Sequence, residues 1–365
     1  MPRQLIAPTW IATVDPFDTL LVDHAVVVDG PRIEAIVPVD EARRRWPDAA
    51  STELPGHLLI PGLVNAHCHA GMTLLRGAGD DLPLQRWLAE RIWPLEKALL
   101  GPDFVFDGSV LAIHEMLRGG VTTFCDMYFF PEETARAAQA LGMRAVLGIP
   151  IVEFPTPWAT RPDDALQRGL ALRDRLRDDP SIRFSLAPHA PYTVADATFE
   201  KIASLAAETG LPIQCHLHET ADEIRRSMDE HGCRPLRRLD RLGVVGPDLL
   251  AIHAVHVDDD DIALLARHRV TVAHCPHSNL KLASGLCPTD RLVEQGVRVA
   301  IGTDSTASNN RLDLLSEARL AALLAKGVSG DAAAWPARHA LRAATLNGAQ
   351  ALGLGDEIGS IEAGK

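Results

Sequence analysis

Seven short runs rich in β-branched residues, "GVTTFCDM", "MRAVLGIP", "IRFSLAPH", "LPIQCHLH", "LLAIHAVH", "RVTVAHCP" and "VRVAIGTD", follow one another after residue 120. An eighth, "HLLIPGLVNAHCH", precedes them, and amphipathic helical stretches such as "ADATFEKIASLAAETG" and "DDIALLARH" lie between most pairs. Eight alternations of strand and helix over roughly 250 residues restrict the chain to very few folds, and the (β/α)8 barrel is the one that uses eight parallel strands. The polar residues sharpen this expectation. His67, His69, His189, His216, His253, His274 and Asp304 all fall at the carboxyl ends of the expected strands, where barrel enzymes gather their active sites. They are expected to converge in one pocket.

The first sixty residues read differently. "TLLVDHAVVVDGPRIEAIVP" alternates apolar and polar positions around Asp29-Gly30, as in two antiparallel strands joined by a tight turn. This start suggests a small all-β unit ahead of the barrel. The chain stops abruptly at "GSIEAGK", so strands that complete the unit are expected beyond residue 365.

Side chains two apart in a strand share a face, so His67 and His69 in "NAHCHAG" can both point at one ion. "QCHLHET" adds His216 with Glu219 close behind it, and "IGTDS" adds Asp304. A mononuclear hydrolytic site needs three or four nitrogen and oxygen ligands and an open position for water, and His67, His69, His216 and Asp304 form such a set. No lysine stands at a mid-barrel strand end to bridge a second ion, so one metal is expected. Zinc is the default for hydrolysis, and Fe2+ or Mn2+ suits the same ligands. Glu219 is placed to exchange protons with a substrate ring nitrogen, and His253 to hydrogen-bond the attacking water or a developing anion. His218 shares the strand parity of His216 and receives no role.

Composition narrows the partners. The 36 basic and 48 acidic residues give a formal charge of −12, which disfavours nucleic acid and anionic membrane surfaces. The six cysteines form no framework, and no basic n-region with an apolar core opens the chain, so a reducing, cytoplasmic setting is expected. No apolar run reaches the length of a membrane span.

Taken in order, "PGLVNAHCHAGMTLLRG", "APHAPYTV", "CHLHET", "AHCPHSNLKLASG" and "GTDSTASNN" resemble the chlorohydrolase and deaminase branch of the amidohydrolase superfamily over nearly the whole chain. "TLLRGAGDDLPLQRWLAERIWPLE" further resembles the 5'-methylthioadenosine/S-adenosylhomocysteine deaminases. The resemblance implies a distorted (β/α)8 TIM barrel with a small β-sandwich formed from the chain ends, one zinc per subunit and a homo-oligomer. The domains would be 1–57 for the first part of the sandwich, 58–352 for the barrel and 353–365 for the start of the return.

At matching positions the resemblance implies that His67, His69, His216 and Asp304 bind zinc, Glu219 shuttles protons and His253 assists at the attacking water. Glu96 would hold ribose hydroxyls, Trp87 would pack on the substrate and His189 would reach a purine nitrogen. The implied reaction is hydrolytic deamination of an adenine nucleoside at C6, giving the inosine derivative and ammonia. One departure bears on the substrate: after the third strand "LGIPIVEFPTPWATRPDD" offers Arg161 as its only arginine and so the one candidate there for a substrate contact, and a carboxylate tail binds poorly without a charged partner. 5'-Methylthioadenosine is therefore expected ahead of S-adenosylhomocysteine and adenosine. A guanine or pterin deaminase, an s-triazine hydrolase and, more remotely, a non-catalytic binding relative are the alternatives.

Overall fold

The computed structural model describes residues 3–365; Met1 and Pro2, part of the expected 1–57 unit, lie outside the described residues. Strands β1 (Gln4–Ala12), β2 (Leu20–Val22), β3 (His24–Asp29) and β4 (Arg32–Pro38) form an antiparallel sheet in the order β2-β1-β3-β4, and β5 (Ala50–Leu59) runs parallel beside β1. The expected hairpin is present, with its turn one residue later: Asp29 pairs with Arg32, and Gly30 takes φ +58 in the two-residue loop. That left-handed backbone is where glycine is cheap.

The unit is not all-β. Helix Val39–Arg45 carries Asp40 and Glu41 in its first turn and three arginines in its last, matching the helix dipole. It packs Ala42 against Leu5, Ala7, Ala25 and Val27 on one face of the sheet. Ile361, from the end of the chain, packs with Ile11 and Val26 in a second cluster. The backbone of the last residues joins the same sheet, with Ile361 N–H on Thr13 O (2.8 Å) and Gly364 N–H on Ile33 O (2.8 Å). The described residues thus hold one sheet covered by a helix and the returning chain, rather than two facing sheets.

The barrel strands are β6 (Leu63–Cys68), β7 (Val121–Asp126), β8 (Arg144–Ile151), β9 (Ile182–Pro188), β10 (Ile213–Leu217), β11 (Leu249–His253), β12 (Thr271–His274) and β13 (Arg298–Ile301). They pair in sequence order, all parallel. All eight runs expected from the sequence are strands. The first was read too broadly, since β5 reaches Leu59 and the barrel strand begins at Leu63.

Closure between β13 and β6 is partial, and this is the distortion of the barrel. At the carboxyl end Cys68 and Asp304 form an isolated bridge, with Asp304 N–H donating to His67 O (3.0 Å). Gly302 permits this approach: a Cβ there would lie 2.9 Å from His67 O. Toward the other end, the chain around helix Leu346–Ala351 fills the seam. Val64 N–H donates to Ala344 O (2.9 Å) and Asn347 Nδ2 to Val299 O (2.8 Å), satisfying strand groups that have no strand partner there.

Val64, Ala66, Cys125, Val146, Ala187, Leu250, Ile252, Ala273 and Ala300 fill the lumen, while a larger cluster joins the outer strand faces to the helices. The small, apolar lumen forms a packed floor, and polar residues collect above it.

Candidate active site

At the carboxyl ends of the strands lies a cavity of about 570 Å³, lined by His69, His189, His216, Glu219, His253 and Asp304 below and by Trp87 and Glu96 on one wall. Its size falls within the range of small-molecule sites. The metal-type group comes together as expected: His67, His69 and His216 each offer a nitrogen, and these atoms lie within 4.8 Å of one another. Asp304 Oδ1 stands 3.1 Å from His69 Nε2 and 3.6 Å from His67 Nε2.

Strand parity alone does not produce this grouping. The pairing of β6 with β7 shifts between Asn65 and Cys68, where β6 carries one extra residue. Val64 and Ala66 face the lumen before the shift, and His67 and His69 face the site after it. A similar correction acts at β11. There Leu250 and Ile252 point into the lumen, so simple alternation would send His253 outward. His253 instead has φ +76, and that left-handed turn brings its ring to the cavity. Asp304 also has positive φ (+57).

The shell around these groups fixes which atoms are free. His69 Nδ1 donates to Met127 O, and His216 Nδ1 donates to His189 O (2.8 Å). Each ring then presents Nε2 to the centre. Neither nitrogen of the fully buried His67 has a hydrogen-bond partner. A buried, unpartnered imidazole is costly unless an ion takes its lone pair. The hydroxyls of Ser278 (2.5 Å) and Ser308 (2.9 Å) donate to Asp304 Oδ2, leaving Oδ1 toward the histidines.

Burial lowers two of the three rings. It pushes the His67 ring down to about 4, despite Asp304 beside it, and holds His216 well below the usual histidine range. Burial would raise Asp304, but the His67 and His69 rings beside it keep it well below the usual carboxylate range. Burial would lower His69 as well, but Asp304 beside it raises it. Three imidazoles and a carboxylate fit one divalent zinc-type ion. Among the described residues the one lysine in the cavity wall is Lys97, on the segment 84–99 and away from the strand ends.

Glu219 is buried beside this group, with Oε2 3.8 Å from His253 Nε2. Desolvation, with Asp304 and Glu223 nearby, pushes its carboxyl well above the usual range. Glu223 fixes the turn that carries it, accepting the backbone N–H groups of both His218 and Glu219 at 2.9 Å. His253 donates from Nδ1 to Asn279 Oδ1 (2.9 Å), and burial lowers its pKa. Its Nε2 is therefore a lone-pair acceptor. His189 lines the cavity, donates from Nδ1 to Thr193 Oγ1 (3.0 Å), and is lowered by burial to about 3.

On the wall, the segment 84–99 is helical, with a widened π-type turn at Leu88–Ile92. Trp87 faces the cavity from it, and its buried indole N–H has no partner. Glu96 also faces in. Burial raises its pKa, and Tyr128 Oη donates to it at 2.8 Å.

Two expected residues lie elsewhere. Arg161 pairs with Asp164 (3.0 Å), its side chain is 75% exposed, and it is absent from the cavity wall, because it immediately precedes helix Pro162–Leu176 on the outer surface. His274 turns away from the cavity toward Trp335, with ring centroids 6.3 Å apart. The unassigned His218 is structural: it accepts Leu236 N–H on Nε2 (3.0 Å), and its Nδ1 lies 3.3 Å from Asp261. The sequence reading missed Tyr128, Asn279, Ser278 and Ser308. The chain has only two tyrosines, Tyr128 and Tyr192, and both line the cavity. That scarcity was the one signal available.

The amidohydrolase family model matches residues 58–365. A protein of Teredinibacter turnerae named 5-methylthioadenosine/S-adenosylhomocysteine deaminase is 50% identical over 357 residues, 98% of this chain and 81% of that one. The crystal structure of an adenosine deaminase from Xanthomonas campestris with bound zinc superposes with a TM-score of 0.97 at 50% identity, covering 99% of this chain and 82% of that one. An atrazine chlorohydrolase from Arthrobacter aurescens complexed with zinc superposes with a TM-score of 0.91 at 26% identity, covering 99% and 85%. With the same barrel and a metal-type group of three histidines at its mouth, the chain belongs to the amidohydrolase family.

Proposed function

We propose that this protein is a zinc-dependent aminohydrolase that converts an adenine nucleoside, 5'-methylthioadenosine foremost, to its inosine derivative and ammonia. The carrying observation is the buried Glu219, its carboxyl raised well above the usual range, beside a three-histidine and aspartate group, with Glu96 facing the same cavity. His67, His69, His216 and Asp304 would hold the ion, which when bound supplies Lewis acidity and a more acidic water.

The chain's own groups account for the proton movements. With its pKa raised by burial, Glu219 can hold a proton and give it to N1 of the adenine, making C6 electrophilic. Asp304, with Oδ2 already occupied by two serines, takes a proton from the attacking water at Oδ1. His253 accepts a hydrogen bond from that water at Nε2 and holds it toward C6. The water oxygen bonds to C6, Asp304 passes its proton to the C6 amino group, the C6–N bond breaks to release ammonia, and the remaining hydroxyl proton goes to Glu219, giving the 6-oxo purine and restoring both carboxyl groups.

Glu96, kept in place by Tyr128, accepts from the ribose 2'- and 3'-hydroxyls. Trp87 packs on the nucleoside and offers its free N–H, and His189 reaches the purine. A free base or a triazine has no diol for Glu96, which sets this reading against guanine deamination and triazine hydrolysis. The name of the relative from Teredinibacter turnerae supports the substrate class. A homo-oligomer in the cytoplasm belongs to the same reading; no helix among the described residues is long and apolar enough to cross a membrane.

The test is ammonia release from the zinc-loaded protein given 5'-methylthioadenosine, S-adenosylhomocysteine, adenosine and guanine separately. Preference for methylthioadenosine is expected, and activity on guanine alone would overturn the assignment.

A further inference from the structure

The upper part of the cavity is unlike its floor. Trp93, from segment 84–99, and Phe154, from the loop after β8, face each other with ring centroids 6.4 Å apart and planes at 60°. Both line the cavity, yet they are 41% and 42% exposed. Two large aromatic side chains half in water forgo stabilisation that burial would give, and such exposure beside a cavity marks a contact surface.

The loop that carries Phe154 is already fixed. Trp158 is 2% exposed and donates its indole N–H to Glu132 (3.0 Å), and Thr156 Oγ1 and Ala159 close a turn through hydrogen bonds of 3.0 Å. Pro155 and Pro157 stiffen it further. The aromatic pair is therefore preformed, which lowers the ordering cost of binding.

Its position relative to the nucleoside follows from the function proposed above, on which this inference rests. Trp93 lies three residues before Glu96, one helical turn away. With the purine on the floor and the ribose diol at Glu96, the 5' carbon leaves the sugar across the ring from the base. It leads toward the exposed end, where Trp93 and Phe154 stand.

We propose that Trp93 and Phe154 form a slot for the 5' substituent that selects flat, apolar aryl groups over alkyl groups of similar size. The substrate class is thereby widened from the methylthio nucleoside to adenine nucleosides with a 5'-aryl extension. Offset and edge-to-face geometries favour an aromatic ring beyond its buried area alone, which translates to about 3- to 10-fold in kcat/KM.

The experiment measures kcat/KM for adenosine, 5'-methylthioadenosine, 5'-cyclohexylthioadenosine and 5'-phenylthioadenosine with the zinc-loaded enzyme and with Trp93→Leu and Phe154→Leu. The leucines keep apolar bulk and remove only the ring, so folding is retained. The expected result is a preference of about 3- to 10-fold for phenylthio over cyclohexylthio, collapsing to near unity in either variant. Deamination of adenosine with phenylthio no better than cyclohexylthio would overturn the slot and leave the deaminase reading standing. An equal loss on all four substrates in the variants would also overturn it. Failure to deaminate any of the four would overturn the reading and the slot together.

Discussion

The floor and the mouth of the cavity are built on opposite principles. On the floor, four polar side chains have a second partner that fixes them: Met127 O for His69, His189 O for His216, Ser278 and Ser308 for Asp304, and Asn279 for His253. These groups come from the ends of separate barrel strands and are almost wholly buried. At the mouth, a helical segment with a π-type turn and one short loop face each other, with half-exposed aromatics and the Tyr128–Glu96 hydrogen bond. The floor holds chemistry that tolerates little displacement, whereas the mouth is free to suit a particular substrate. Relatives named for adenosine and for atrazine share this fold, as expected if substrate choice lies above a common floor.

Changes to the floor should abolish turnover, and changes to the mouth should redistribute it. Removing the metal with a chelator is expected to eliminate activity and lower Tm, both restored by added zinc; activity that survived metal-free dialysis would dissolve the distinction. Glu219→Gln keeps the shape and removes the proton, so kcat should fall by about 10²- to 10⁴-fold with zinc content unchanged. Metal analysis beside the kinetics separates this from loss of the ion.

At the mouth, Glu96→Ala removes hydrogen bonds to a charged acceptor and should cost about 10- to 100-fold in kcat/KM for nucleosides. It should leave turnover of free adenine nearly unchanged, and an equal loss on both would move Glu96 from the sugar to the floor.

Outside the cavity, a stability component can be read by pH. Burial would raise Asp261, but His218 and Arg234 hold its carboxyl at about 2 against the usual 3.8. A folded pKa below the unfolded value stabilises the fold above the unfolded pKa and is lost as pH falls through the folded one. Asp261→Asn should therefore cost about 2 kcal/mol at neutral pH in urea unfolding. The difference from wild type should shrink between pH 3.8 and about 2.

The smallest effect is expected at Lys97, the only lysine or arginine in the cavity wall, with no ion pair among the described residues. With Arg161 outside, it is the available cation for a carboxylate tail. Lys97→Ala should lower kcat/KM for S-adenosylhomocysteine a few-fold, in line with one exposed charge contact, and leave methylthioadenosine unaffected.

Much of this was legible in the chain. The alternation of β-branched runs and helical stretches marked all eight barrel strands, and "NAHCH", "QCHLHET" and "IGTDS" carried the metal-type group, because strand ends are where barrels converge. Arg161 and His274 were misplaced for opposite reasons. Arg161 is near the site in sequence but caps the outer side of a loop, and His274 sits at a strand end but on the helix-facing side.

The sequence by itself determined the repeating architecture and the inventory of ligands, since hydrophobic period and residue type are local properties. Tertiary structure alone decided the direction of each group. The extra residue in β6 resets the face of His67 and His69, the left-handed backbone at His253 turns its ring inward, and the bridge from Cys68 to Asp304 brings the last strand to the first. It also brought Trp93 to Phe154 and Glu96 to Tyr128. Such contacts join residues far apart along the chain, and they form only when the sheet closes.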